Sequence, residues 1–458
     1  MSTTFVLLLA YAALQVALGL WIGRRVRRSE DFFVAGRALP AGLIFATFLA
    51  ANIGAGSTVG AASLAYREGI SAWWWNGSAG LGCLVLAFSV GPRLWRESVE
   101  HGDLTVGDFL ERRYGRMLRG LTASLVWFGT LHILAAQLLG IASVLTAVAG
   151  LSPVAGCLVG AGIAATYFAA GGLVSTAWVN VLQLAVKLCG FLIVTPLALA
   201  AAGGWHALPS DGSRLDLFAS TGPLSGWRLL FALGPAFIVS PGLIQKAYGA
   251  RSARAVTVGV AANGAALLAF GTIPVILGSS ARALFPSLAS PDVSLATVAA
   301  TAVPPAAGAL ALAAIFSAEL SAADAVLLML ATSASRDLYR GFVNPAARPE
   351  QVLRVARVAA VAGAALGVAL ALVYQSIASV LGLFYALLTA TLFVPVVGGV
   401  YISAAGKVEG LAAVVVGVAT LAIVQLTTGG AGIGFVPPAL AGVLSSAGVF
   451  VIVRWWVR

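Results

Sequence analysis

The stretch FLAANIGAGSTVGAAS, from Phe48 to Ser63, places polar residues and glycines at the centre of an apolar segment. Gly54 and Gly56 lie two residues apart beside Asn52, and glycines in this arrangement weaken a helix at its middle. Unwound backbone is tolerated at membrane depth only where it is buried in protein or lines a cavity. The stretch therefore predicts either a broken helix beside a binding cavity or a close helix–helix contact through small residues.

A second interrupted segment favours the broken helix. In GPAFIVSPGLIQKAYGARSARA, from Gly234 to Ala255, Pro241 removes a backbone hydrogen bond and breaks or kinks the helix. The two interruptions are five predicted spans apart, as in two inverted five-helix repeats, which we place at 41–200 and 227–402. The other predicted units are an extra N-terminal span with a basic loop (1–40), a loop between the repeats (201–226) and two C-terminal spans (403–458).

The composition defines the class of protein. Of 458 residues, 60% are hydrophobic and 9% are charged, and the mean hydropathy is +0.99, whereas a soluble chain carries about 25% charged residues. We count about thirteen apolar segments long enough to cross a bilayer. The sequence therefore predicts an all-α membrane protein. Its loops are too short for a nucleotide-binding or catalytic domain, so we expect neither transport driven directly by ATP nor an enzyme.

The basic residues predict the orientation. Of 27 lysines and arginines, 22 fall in loops on one side of the predicted spans and four on the other. Loops rich in lysine and arginine stay in the cytoplasm, so the N-terminus is predicted outside and the C-terminus inside. This distribution also explains the net charge of +11 without a nucleic-acid partner. We expect a multi-pass protein of the cell membrane that functions as a monomer.

Two acids lie deep in one apolar segment, IFSAELSAADAVLLML, from Ile315 to Leu330. An isolated carboxylate at that depth costs about 3 kcal/mol, so Glu319 and Asp324 need either partners or a function. The strong base that lies inside a predicted span is Lys187. These three side chains are therefore the first candidates for an ion site.

Six motifs together resemble the sodium/solute symporter family, which includes the sodium/proline, sodium/galactose and high-affinity choline transporters. They are EDFFVAGR (Glu30–Arg37), AANI (Ala50–Ile53), TVGDFLERRYG (Thr105–Gly115), GGLVSTAWVNVLQ (Gly171–Gln183), IQKAYGARS (Ile244–Ser252) and RDLYR (Arg336–Arg340). The resemblance implies a LeuT-type fold of five plus five inverted helices. It also implies cation-coupled symport of a small organic solute into the cell, with sodium as the coupling ion and no other cofactor.

The same resemblance implies where sodium binds. The ligands would be the carbonyls of Ala50, Ile53 and Ala318, with hydroxyls at positions 321 and 322. The chain keeps Ser321 but has Ala322, and it has Asn180 where the family usually has an aspartate. These departures leave open a second interpretation, in which Lys187 and Asp324 replace the sodium apparatus and transport is proton-coupled or independent of sodium.

The two acids differ in the face of the helix that they occupy. Ser317, Ser321 and Asp324 share one face because residues three apart on a helix are neighbours, so Asp324 is predicted to be an ion ligand, a relay or a proton carrier. Glu319 points elsewhere, and we predict that it pairs with Lys187 or else with His132. The resemblance offers an alternative, because some LeuT-type transporters that do not need sodium place a basic side chain from this helix in the vacated ion site.

The predicted substrate site lies between the two broken helices. Its predicted residues are Gly54, Ala55, Ser57, Thr58, Ser240, Pro241, Gly242 and Trp74. Ser57 matches a glutamine of the galactose transporter, so hexose recognition is not supported. Free N–H groups at the start of a half-helix suit a carboxylate, which favours a monocarboxylate or an amino-acid derivative. A solute sensor without net flux is the alternative function.

Overall fold

The computed structural model describes residues 3–24, 26, 29–209, 212–219, 226–374, 377–402 and 405–457, and these are almost entirely helical. Loop arginines counted for the orientation at positions 25, 27, 28 and 458 lie outside these residues. The α-helices are α1 (Thr3–Gly23), α2 (Ser29–Val34), α3 (Ala41–Asn52), α4 (Ala61–Glu68), α5 (Trp74–Val85), α6 (Gly91–His101), α7 (Val106–Tyr114), α8 (Arg116–Ala149), α9 (Pro153–Ala201), α10 (Leu229–Val239), α11 (Pro241–Tyr248), α12 (Ala253–Phe270), α13 (Thr272–Leu284), α14 (Ser294–Thr297), α15 (Pro305–Thr332), α16 (Pro349–Ala371), α17 (Ile377–Tyr401), α18 (Lys407–Thr427) and α19 (Pro438–Val457). Short π-helical segments continue several of them, notably Gly56–Gly60 before α4 and Ser333–Val343 after α15.

Eleven helical stretches in the described part of the chain are long and apolar enough to cross a membrane. Two of them, Gly56–His101 and Pro153–Ala201, each contain parts of two of the thirteen predicted spans. In the second, the chain leaves helical geometry at Gly172, with φ 51° and ψ −135°, and divides α9 into two helices. The number of spans and the orientation of the termini stay predictions.

Both predicted interruptions are breaks in the helices. The first follows α3, where Ile53 has φ −89° and ψ 86°, and the Ser57 hydroxyl bridges the gap by donating to the Asn52 carbonyl and accepting from the Gly54 N–H. The second lies at Ser240, with φ −54° and ψ 120°, between α10 and α11. Each break leaves carbonyl groups at the end of one half-helix without helical partners.

Helix α15 occupies the centre of the molecule and is almost entirely buried. It packs against α9, α8 and α3. Glycines allow this close approach: a Cβ atom at Gly190 of α9 would lie 2.5 Å from the Ala314 Cβ of α15. The two acids of α15 are consequently enclosed by protein rather than by lipid.

Two of the family motifs meet at one end of the bundle. Arg119 on α8 donates to Asp337 at 2.8 Å and lies 2.8 Å from Asp108, and Arg336 lies 3.2 Å from the other Asp108 oxygen. Burial acts to raise the pKa of Asp108, but Arg336 and Arg119 outweigh it and hold that pKa below its ordinary value. This charge network ties α7 to the end of α15, on the side that we call the arginine-rich side.

Candidate functional site

The candidate ion site is built around Lys187 of α9, which is fully buried. Its ammonium donates to the Ala50 carbonyl at 2.8 Å, the Ile53 carbonyl at 3.2 Å and the Ser321 hydroxyl at 2.7 Å. Three acceptors match the three N–H groups of a protonated lysine. The carbonyls face the amine because α3 ends here, and the end of a helix carries partial negative charge.

The structure brings the predicted sodium ligands together. The Ser321 hydroxyl lies 2.6 Å from the Ala50 carbonyl and 3.0 Å from the Ala318 carbonyl, and the Ile53 carbonyl is bound to the same lysine. The missing hydroxyl at position 322 is replaced by a methyl group that packs against Gly54. Lys187 therefore lies inside the set of oxygens that the resemblance assigned to sodium.

The predicted ion pair between Glu319 and Lys187 is wrong as a direct contact. Glu319 accepts a hydrogen bond from the Thr58 hydroxyl at 3.2 Å, and its other oxygen has no hydrogen-bond partner among the described residues. The physical reason is that the three N–H groups of Lys187 are used by the carbonyls of Ala50 and Ile53 at the end of α3 and by Ser321, which lies on a different face of α15 from Glu319. The interaction of Glu319 with Lys187 is electrostatic and acts at longer range.

His132 is not the partner of Glu319 either. Its Nδ1 lies 2.8 Å from the Phe128 carbonyl in its own helix. Its ring packs against the rings of Phe128 and Tyr374, with centroids at 4.6 and 5.7 Å. The histidine is therefore part of the packing of α8.

Asn180 precedes Lys187 by seven residues, about two turns of α9, and Asp324 follows Ser321 by three residues, about one turn of α15. Asn180 donates to the Thr47 hydroxyl at 3.0 Å, so it does not contact the carbonyls of the Lys187 site. Asp324 is 1% exposed, and neither of its oxygens has a hydrogen-bond partner within the described part of the chain. The prediction that Asp324 handles the ion is untested by this geometry, although the side chain shares the face of Ser321.

Sequence reasoning missed a second buried lysine. Lys246 was counted among the loop residues, but it is 1% exposed in α11 and donates to the Thr47 carbonyl at 2.9 Å. The reason is the break at Ser240, because α11 restarts at Pro241 within the molecule and is buried from Gly242 to its end at Tyr248. The signal that could have found it is the position of Lys246 only five residues after that proline.

A central cavity lies between the two breaks. Of the predicted substrate residues, Gly54, Ser57, Ser240 and Gly242 line it. The others do not: Ala55 donates its N–H to the Gln137 side chain at 2.9 Å, Pro241 lines a separate, smaller cavity, and Thr58 is bonded to Glu319. The further lining residues used below are Asn52, Trp75, Asn76, Gln137, Phe237, Phe384 and Tyr385.

Trp75 lines the cavity in place of the predicted Trp74. Successive residues of a helix point about 100° apart, and the Trp74 indole instead donates to the Leu217 carbonyl at 2.9 Å. Tyr385 is the centre of an aromatic group, with ring centroids 6.4 Å from Trp75, 5.4 Å from Phe237 and 5.2 Å from Phe384. None of the described residues that line the cavity is charged.

These features are those of a secondary transporter, with a central cavity beside a candidate ion site. The chain matches the family model described as the sodium:solute symporter family over residues 32–417. It belongs to that family. The prediction of a cation-coupled symporter of small solutes, and not an enzyme, is confirmed at this level.

Relatives with assigned names agree with the family. A sodium/glucose cotransporter of Vibrio parahaemolyticus is 25% identical over 77% of this chain and 71% of its own length. The human sodium/iodide cotransporter is 32% identical over 44% of this chain, which spans only 31% of that protein. The mammalian relatives are thus matched over about a third of their length.

The fold agrees with solved transporters. A Na⁺-coupled sialic acid symporter in a substrate-bound, outward-open state has a TM-score of 0.83 at 17% identity, covering 100% of this chain and 98% of its own. The nucleobase–cation symporter Mhp1, in a closed conformation, has a TM-score of 0.56 at 16% identity, covering 93% and 94%. The LeuT-type fold is therefore confirmed.

Proposed function

We propose that this chain is a symporter of a small organic solute in which the ammonium of Lys187 takes the place of a sodium ion. The observation that carries the proposal is the set of bonds from Lys187 to Ala50, Ile53 and Ser321, at 2.7 to 3.2 Å. Sodium would need these same oxygens, and two cations cannot share them. A lysine can release its proton, so the coupling cation of the proposal is H⁺.

The geometry suggests how the proton couples to movement. While Lys187 is charged, three hydrogen bonds join the end of α3 to α9 and α15. When the ammonium of Lys187 loses a proton, the neutral amine that remains has two N–H groups and no charge. The hydrogen bonds to Ala50, Ile53 and Ser321 are then weaker. Gly54 and Ser57 lie just after the break at the end of α3, and they line the cavity. The protonation state of Lys187 and the binding of solute therefore both act on the conformation of this break.

The solute of the proposal lies in the central cavity. Trp75, Phe237, Phe384 and Tyr385 offer an apolar surface, and Asn52, Asn76 and Gln137 offer hydrogen-bonding groups. This lining suits a small organic solute with one apolar and one polar part, such as a monocarboxylate or an amino-acid derivative. A hexose is not proposed, since Ser57 stands where the resemblance expects glutamine.

The test is solute uptake into proteoliposomes with imposed gradients. A panel of small carboxylates and amino-acid derivatives is first screened for binding by thermal shift. The bound solute is then offered under an inward proton gradient, an inward sodium gradient or neither, for wild type and Lys187→Met. Accumulation driven by protons alone in wild type, and lost in the variant, is the expected result.

Sodium coupling is the second candidate, and the family assignment favours it. Accumulation that requires a sodium gradient and persists in Lys187→Met would overturn the proton proposal. Binding without uptake under either gradient would instead indicate a sensor. We further propose that the protein lies in the cell membrane and acts as a monomer, which light scattering of the purified protein tests.

A further inference from the structure

Two buried amide side chains hold the backbone of the first helix break. Asn76 of α5 donates from its Nδ2 to the Ser57 carbonyl at 3.1 Å, and Gln137 of α8 accepts the Ala55 N–H on its Oε1 at 2.9 Å. Both side chains are buried, with Asn76 1% and Gln137 3% exposed. One bond requires the NH₂ group of an amide and the other requires its oxygen, so these contacts fix the orientation of both amides.

Each amide keeps one group that the break does not use. The Oδ1 atom of Asn76 is a buried acceptor that has no hydrogen-bond partner among the described residues. The bond to Ala55 occupies the Oε1 atom of Gln137 and leaves the two N–H groups of its Nε2 to other partners. Both residues line the central cavity. Because buried polar atoms are nearly always paired, we expect a molecule in this cavity to donate a hydrogen bond to Asn76.

The size and charge of the cavity narrow the choice of solute. Its volume is about 60 Å³, and one water molecule needs about 10–15 Å³, so the space holds roughly four to six waters or one small solute. None of the described residues that line it is charged. An isolated charge is costly in such surroundings, so a solute without net charge fits this cavity best.

We propose that the solute is small, has no net charge and carries an N–H donor beside a carbonyl or carboxylate oxygen, as an α-amino acid or a primary amide does. This rests on the proposed function, which puts the solute in the central cavity. The N–H group donates to Asn76 Oδ1, and the neighbouring oxygen accepts from Gln137 Nε2. In an amino acid the ammonium and the carboxylate compensate each other, so no net charge enters.

Asn76 is the specificity-determining residue in this proposal. A simple monocarboxylate has no N–H group, so it would leave the Asn76 oxygen unpaired and would bring an uncompensated charge. Sites that hydrogen-bond an N–H or O–H group of their substrate strongly reject analogues that lack it, because a buried polar group then stays unpaired. Of the two solute classes named above, the amino-acid derivative is therefore the one that fits.

The experiment measures equilibrium binding to the purified protein by isothermal titration calorimetry. Each solute is paired with an analogue of similar size in which a methyl group replaces the nitrogen group: L-alanine with isobutyrate, and propionamide with butanone. Butanone is uncharged like propionamide, so the second pair isolates the hydrogen bond from the charge. We expect alanine and propionamide to bind about ten- to a hundredfold more tightly than their partners.

Three variants locate the source of this preference. Asn76→Leu keeps the approximate size but removes the acceptor, so it should abolish the preference within both pairs. Gln137→Glu keeps an oxygen for the Ala55 N–H but replaces the free donor by an acceptor, so it should weaken binding of alanine and propionamide about tenfold or more. Asn344→Leu removes an amide outside the cavity and is the matched control, which should keep the wild-type preference.

Several results would overturn the proposal. These are equal binding within the pairs by wild type, an undiminished preference in Asn76→Leu, and failure of both alanine and propionamide to bind. The measurement needs no gradient, so it is independent of coupling. Selective binding without accumulation under any gradient would refute the proposed function and leave the role of Asn76 intact. If Asn76→Leu does not fold, the wild-type pairs and Gln137→Glu decide.

Discussion

The oxygens around Lys187 are those that the resemblance assigns to sodium. We therefore expect that two substitutions can convert this site into one that binds sodium. In Lys187→Ala combined with Ala322→Ser, the amine is removed and the hydroxyl at position 322 is supplied. Carbonyls of Ala50, Ile53 and Ala318 with two hydroxyls then make about five oxygens, a suitable number for sodium. We expect sodium to raise the melting temperature and to stimulate uptake in this double variant.

The single variants are the controls for that conversion. Lys187→Ala alone lacks one hydroxyl and should respond to sodium weakly, whereas Ala322→Ser alone keeps the amine and should not respond. Potassium at equal ionic strength controls for screening of surface charge. A double variant that remains folded but is indifferent to sodium would contradict the assignment of these oxygens to an ion site.

Glu319 is enclosed so closely that a single methyl group should displace it. A Cβ atom at Gly140 would lie 2.6 Å from the Glu319 Cδ and 2.8 Å from its Oε2. Overpacking of a buried site costs about 1–3 kcal/mol, so Gly140→Ala should lower the melting temperature in detergent. Gly162→Ala is the matched control because nothing lies within 4 Å of its Cβ position. Equal melting temperatures would show that Glu319 can move.

For single residues, the sequence predicted the helix face that a side chain occupies better than it predicted the residue that the side chain contacts. The face shared by Ser321 and Asp324 follows from helical spacing, and Ser321 lies beside the Ala50 carbonyl as the motifs implied. The partner of Glu319 was mistaken, because spacing within α15 gives no information about which neighbouring helix supplies a lysine. Lys246 was missed because a proline in the sequence ends one helix without showing that the next begins inside the membrane.

At the scale of the elements, the break that divides α9 into two helices depends on a glycine. Gly172 has φ 51° and ψ −135°, a backbone conformation that residues other than glycine rarely adopt. A Cβ atom at this position would also lie 2.5 Å from the carbonyl oxygen of Phe32. We expect Gly172→Ala to destabilise the protein by several kcal/mol, about 1–3 of it from backbone strain. Thermal unfolding of the purified protein measures the loss.

A second glycine separates strain from contact. Gly150 also has positive φ, at 65°, but nothing lies within 4 Å of its Cβ position. Gly150→Ala should therefore cost about 1 kcal/mol, the strain of a left-handed residue alone. If both variants lose the same stability, then the contact of Gly172 with Phe32 contributes nothing.

The charge network between α7 and α15 predicts a dependence on pH. The pKa of Asp108 is held below its ordinary value by Arg336 and Arg119 despite burial. A lowered folded-state pKa stabilises the protein above the unfolded pKa of about 4, and that stability is lost as pH falls through the folded value. Asp108→Asn should thus be less stable than wild type at pH 7, and the difference should shrink in acid.

The control for that series is Glu350→Gln, which removes an exposed acid at the start of α16. The stability of this variant should equal that of wild type at every pH at which the protein stays folded. A difference between wild type and Asp108→Asn that is constant from neutral pH into acid would mean that the ion pairs with Arg119 and Arg336 do not stabilise the fold.

At the scale of the whole molecule, composition and hydropathy were sufficient for the class, and six weak motifs were sufficient for the family. The boundaries of the two repeats, at 41–200 and 227–402, stay a prediction. The network that joins Asp108 to Arg336 could not be foreseen, since these residues are 228 positions apart and only the packing of α7 against the segment Ser333–Val343 brings them together. Asp108, Arg336 and Asp337 were visible in the sequence only in two separate motifs, and Arg119 lies outside both.

Under the proposed proton coupling, the fixed position of Lys187 has an electrical consequence. A mobile ion crosses the bilayer with the solute and leaves, whereas this amine stays attached to α9, and only its proton can travel. For a solute without net charge, each completed cycle then moves one elementary charge, so transport is electrogenic. A voltage of 100 mV contributes about 2.3 kcal/mol per charge, enough for a roughly fiftyfold gradient. A cell that lost its pH gradient but kept its voltage would therefore still accumulate the solute.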